Sequence, residues 1–153
     1  MPAGNGGAGI ISVRSLAGDF DVQVDYTLLN WPANNRHTLR MGFPTFGIGA
    51  FGEVGPFRQS TSAEIYGMDT LDQVFQGSTS DTGGKLRLFR KGSGLTGYFY
   101  NGSNWTVIGG GTIVTTPTRV TLEFGSGDAQ APGGVTIAFD YFKVNAGTIT
   151  CPP

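Results

Sequence analysis

Apolar and polar side chains alternate with a period of two along most of this chain. Phe20, Val22, Val24, Tyr26 and Leu28 alternate with Asp19, Asp21, Gln23, Asp25 and Thr27. That pattern predicts a strand with one face in a core and the other in water. Leu39, Met41 and Phe43 repeat it against Thr38, Arg40 and Gly42, and Leu86 and Leu88 against Lys85, Arg87 and Phe89. Val120, Leu122 and Phe124 continue the series. The run from Val135 to Val144 alternates too, but it ends apolar on both faces, which predicts a place in the middle of a sheet.

Turn signals separate these runs. Lys91-Gly92-Ser93-Gly94 predicts a hairpin between Leu86–Arg90 and Leu95–Tyr100, and Asn101-Gly102-Ser103 predicts another before Trp105–Ile108. Glycine clusters at 109–111, 125–127 and 132–134 break the remainder. No segment carries a helical period; the nearest is a turn around Asp69–Gln73. Many short strands at this spacing predict an all-β sandwich or barrel. Residues 1–17 read as a Gly-rich N-terminal segment, 18–146 as the sandwich and 147–153 as a tail or linker.

Composition sharpens this picture. The chain has 153 residues, enough for one domain, and 26 of them are glycine. Only 14% are charged, against a usual value of about 25%. The net charge is −1, and the basic residues are scattered apart from Arg87, Arg90 and Lys91. A phosphate-backbone binder needs a basic stripe, so nucleic acid is not expected as a partner. No apolar run approaches the roughly 20 residues of a membrane helix, so membrane insertion is not expected either. The first nine residues lack the basic start and apolar stretch of a signal peptide. The single Cys151 cannot form an internal disulfide.

Three segments carry a family resemblance. Gly18-Asp19-Phe20-Asp21-Val22 opens the domain, Gly97-Tyr98-Phe99-Tyr100-Asn101-Gly102-Ser103-Asn104-Trp105 forms its hairpin, and Phe139-Asp140-Tyr141-Phe142-Lys143-Val144 closes it. In this order they resemble the bacterial concanavalin A-like lectin/glucanase superfamily, the laminin-G-like group, over about residues 18 to 145. The resemblance implies a two-sheet antiparallel jelly-roll sandwich at the cell surface or outside the cell. Its members include lectins, carbohydrate-binding modules, glycosidases and adhesion domains, so fold alone does not fix function. The resemblance also implies a structural calcium near the last strand, with Asp140 as the position to test. No cofactor is otherwise required.

The candidate chemistry is a binding surface. If Leu39, Met41, Ile65, Leu86, Leu88, Leu95 and Phe99 face the core, then Arg40, Glu64, Tyr66, Arg87, Phe89, Tyr98 and Tyr100 face away. Successive strands are often sheet neighbours, which would gather these residues into one patch. Rings stack on the C–H faces of sugars while Arg and Glu bond hydroxyls, and Tyr offers both a flat face and a polar tip. Trp31, in the loop after the first strand, is a further contact, whereas Trp105 is expected in the core. A glycan or cell-surface polymer is therefore the expected partner. A structural or adhesive domain that self-associates or joins neighbouring domains is the alternative, and a hydrolase or lyase the second. For the last, Glu64 and Asp69 are the nearest carboxylate pair. They lie an odd number of residues apart and so on opposite faces of a regular strand. Asp19 and Asp21 share a face, with a solvated surface as the plainer reading. His37, the only histidine, is expected on the surface.

Overall fold

The computed structural model describes residues 6–33, 37–44, 53–69, 74–113, 115–126 and 134–151. Ten strands follow in order: β1 (Gly6–Asn30), β2 (His37–Pro44), β3 (Glu53–Ser60), β4 (Glu64–Asp69), β5 (Val74–Ser78), β6 (Gly83–Lys91), β7 (Gly94–Tyr100), β8 (Trp105–Thr112), β9 (Thr118–Ser126) and β10 (Thr136–Thr150). All pairings are antiparallel. None of the described residues is helical, so no helix there is long and apolar enough to cross a membrane.

β1 makes two layers out of one hydrogen-bonded path. Its first half pairs with β9 up to Leu16, and its second half pairs with β6 from Phe20 onward. One layer therefore runs β5-β4-β3-β2-β9-β1 and the other β10-β1-β6-β7-β8. The crossing falls at Gly18, whose φ of +65° favours a residue without Cβ. Buried Arg90 lies over the Phe20 ring and donates to the Gly18 carbonyl, clamping the bend. Burial pushes its pKa down, against the pull of Asp19.

The layers meet through the side chains that the period-two pattern assigns inward. Phe20, Val22, Val24 and Tyr26 of β1 pack with Leu39, Met41 and Phe43 of β2 and with Leu86 and Leu88 of β6. The Phe20 and Phe43 rings meet edge to face at 5.1 Å. Tyr66 of β4 stacks on Phe99 of β7 at 4.3 Å, and its hydroxyl bonds that of Tyr26 at 2.5 Å. Desolvation raises the pKa of both phenols, so both stay neutral. The fold is an all-β antiparallel sandwich of the jelly-roll kind.

Three features depart from the pattern reading. β1 begins at Gly6 and β10 reaches Thr150, so strands run into both segments read as flanking chain. Gly7 and Gly9 lie so close to β9 that a Cβ at Gly7 would stand 2.9 Å from the Phe124 carbonyl oxygen. Tyr66 joins the core between the layers, while Ile65, itself buried, lies on the other side of β4, where the Phe57 ring meets Gly67. Finally, β10 pairs only with β1 among the described residues, so it is an edge strand and not a central one. Its apolar end comes from a bulge, described below. The turn read around Asp69–Gln73 lies mostly outside the described residues.

Candidate functional site

The outer face of the β10-β1-β6-β7-β8 layer holds the richest chemistry. Core-facing Leu86, Leu88, Leu95 and Phe99 turn Lys85, Arg87, Tyr98 and Tyr100 to the outside, as the alternation requires. Arg87 donates from Nε and Nη2 to the two oxygens of Asp21 at 2.8 and 2.6 Å. Such a forked pair fixes the guanidinium plane. Burial alone would raise the Asp21 pKa, but hydrogen bonds from Arg87 and Asn145, with the charges of Arg87 and Lys143, hold it below its ordinary value. The bond to Asp21 in turn raises that of Arg87.

The fixed guanidinium lies over two rings, Tyr98 at 5.4 Å and Trp105 at 5.6 Å. Trp105 meets Tyr100 edge to face at 5.5 Å. Trp105 thus belongs to this outer face, contrary to its expected place in the core. Tyr100 pairs directly with Trp105 across the turn. The four residues between β7 and β8 turn on Asn101, whose side-chain oxygen accepts from Ser103 and Asn104 N–H at 3.0 and 2.8 Å. The turn that joins β7 to β8 decides the side of Trp105: directly paired residues share a face, and its partner Tyr100 faces outward.

Beside this row, Lys85 and Asp25 form an ion pair. They floor a shallow depression of about 440 Å³, with Asp81, Tyr100, Asp140 and Tyr141 on its walls. A second hollow shares Asp25, Lys85 and Tyr141 and adds Lys143. Tyr141 reaches both because β10 bulges there. Gln23 pairs with Lys143 and Asp25 with Asp140, leaving Tyr141 and Phe142 against a single residue of β1. Tyr141 has φ +47°, the one positive φ of a non-glycine residue among those described, and is 75% exposed.

The single patch expected from the sequence does not form. Arg87, Tyr98 and Tyr100 come together as above. Tyr66 does not join them: it has no solvent exposure and sits between the layers. Arg40 lies on the opposite outer face, ion-paired with Asp69 and with Glu123 at 3.3 Å. Desolvation there outweighs Arg40 and raises the Asp69 pKa. Glu64 stands at the rim of β4, held by buried Arg58 at 2.5 Å and by the Trp31 indole N–H at 3.1 Å. Trp31 thereby closes one end of the sandwich, and it covers His37, which is buried and not at the surface.

Glu64 and Asp69 point to opposite sides of β4, whose pairing shows no register shift, so they cannot flank one scissile bond. Asp140 accepts the Tyr141 N–H at 2.8 Å. Among the described residues no three His, Cys, Asp or Glu side chains are grouped to hold a metal.

No family model and no curated protein matches the sequence. Solved structures match in fold. A legume lectin-like domain from Entamoeba histolytica superposes with a TM-score of 0.53 at 13% identity, over 90% of this chain and 81% of that one. A PL7 alginate lyase from Zobellia galactanivorans gives 0.53 at 12%, over 88% and 65%. A Bacillus licheniformis beta-glucanase gives 0.53 at 13%, over 86% and 66%. This chain therefore spans just under two thirds of the lyase and glucanase chains. At such identities the likeness is one of fold.

Proposed function

We propose that this domain binds a carbohydrate, without cleaving it, at the cell surface or outside the cell. The observation that supports the reading is the outer face of the β10-β1-β6-β7-β8 layer. Tyr98, Tyr100 and Trp105 form one aromatic row there, and Arg87 is fixed in place by Asp21. Rings with polar tips beside a forked donor suit a ligand that is apolar on its ring faces and hydroxylated at its edges. Fold neighbours named as a lectin-like domain and a glucanase make this chemistry a reasonable use of the scaffold, though fold does not dictate it.

A glycan array probed with the purified domain, in calcium and in EDTA, tests the reading. Saturable binding is expected, and Tyr98→Ala/Tyr100→Ala is expected to weaken it at least about tenfold, since buried aromatic anchors each carry roughly 1–2 kcal/mol or more. A folded protein that retains no glycan overturns the proposal.

A second reading, a self-associating structural domain, is favoured by one feature. Over Gly6–Ile11, β1 pairs only with β9 among the described residues, and Ile10 and Ile11 are exposed there. Uncharged open edges invite a further strand. Sedimentation that shifts to larger species with concentration, abolished by Ile11→Lys, would favour it.

A further inference from the structure

The carbohydrate reading leaves Tyr141 unexplained. A large side chain in the left-handed region costs about 1–2 kcal/mol relative to ordinary backbone. Tyr141 is held there by the bulge and the Asp140 carboxylate, yet its exposed ring adds little packing to the fold. Strained residues of this kind concentrate at ligand sites, where the fold fixes an orientation that the side chain would not choose. The Tyr141 ring stands at the meeting of two hollows, and one of them is shared with Tyr100. Tyr100 in turn touches Trp105, so aromatic surface continues from the row of Tyr98 and Trp105 to the edge strand.

The volume near 440 Å³ falls within the range of about 300–1,000 Å³ common for small-ligand sites. Its lining carries three carboxylates, Asp25, Asp81 and Asp140, against one cation, Lys85. Lys85 is already engaged by Asp25. Asp81 and Asp140 are exposed. Exposed carboxylates accept hydrogen bonds from hydroxyl or amino groups and repel other anions.

We propose that the hollow beside Tyr141 is a subsite for a saccharide free of carboxylate and sulfate groups. One sugar ring stacks on Tyr141 while its hydroxyls donate to Asp140 and Asp81. The inference rests on the carbohydrate reading and narrows it to a place and a chemical class. It sets this chain apart from its fold neighbour named as an alginate lyase, whose named substrate is a polyuronate.

Isothermal titration of the full chain tests it with cellohexaose, xylohexaose, mannohexaose, laminarihexaose and a glucosamine hexamer as non-acidic probes, and hexagalacturonate as the acidic one. At least one non-acidic probe is expected to bind and hexagalacturonate to bind none or far more weakly. Tyr141→Gly suits the positive φ and is expected to fold normally while weakening binding at least about fivefold. Tyr141→Phe, which keeps the ring, is expected to retain most of the affinity. Binding untouched by Tyr141→Gly but lost in Tyr98→Ala overturns the subsite and leaves the broader reading standing. Tightest binding of hexagalacturonate overturns the chemical class. A folded wild type that binds no saccharide overturns both proposals.

Discussion

Single residues show where polar groups have been made safe inside an apolar sandwich. The Tyr26 and Tyr66 hydroxyls satisfy each other between the layers. Removing one should cost more than removing both, because a buried hydroxyl left without a partner costs about 1–3 kcal/mol. Denaturant unfolding of Tyr66→Phe is therefore expected to show a loss of that size, and Tyr26→Phe/Tyr66→Phe less than the sum of the single variants. Asp21 supplies a pH dependence. Its folded pKa lies below the ordinary 3.8, so the folded state binds fewer protons than the unfolded one in that window. The stability it contributes is complete above the unfolded value and is lost as pH falls through the folded one. Asp69, raised by burial, works the other way: its contribution declines as pH rises. The stability gap between wild type and Asp21→Asn is accordingly expected to shrink as pH drops from about 5 to 2.

At the scale of strands, what the sequence revealed depended on regularity. The inward positions of β1, β2 and β6 were legible because their alternation is unbroken, and with them the outward placement of Arg87, Tyr98 and Tyr100. The Gly92-Ser93 hairpin was legible too, with Gly92 at φ +59°. What failed did so where local alternation does not decide the side. Trp105 is outside because it pairs with outward-facing Tyr100 across the β7–β8 turn, and the bulge at Tyr141 accounts for the apolar end of β10 that suggested a central strand. In β4 the inversion has another cause. The tip of the Phe57 ring of β3 lies against Gly67, so that side of β4 is filled from its neighbour and Tyr66 turns in. No local pattern announces a ring placed by the adjacent strand. Gly67→Ala would push a methyl group into that buried ring. A loss of about 1–3 kcal/mol in thermal or chemical unfolding is expected, larger than for exposed Gly77→Ala, which meets nothing.

Over the whole molecule, the candidate site is an outer sheet face and not a deep cleft, and its residues come from five strands. That dispersion explains why composition and motif offered so little on function. Asp21, Arg87, Tyr98, Trp105 and Tyr141 have no fixed spacing, and only the register between strands makes them neighbours. The strand that sets this register is β1, which spans both layers and takes β10 as partner from Ser15↔Thr150 to Asn30↔Thr136. The first and last strands are thus mutual neighbours, at nearly the greatest sequence separation the chain allows. A ribosome releases β1 before β10, so the second layer waits for its edge until the strands between them have been made. Before then the outer edge of β1 is bare, and non-local closure of this kind is slow, on the order of milliseconds to seconds. The emerging domain therefore spends its synthesis with an exposed strand, and its risk of capture by other nascent chains is set by how quickly the final fifteen-residue strand arrives.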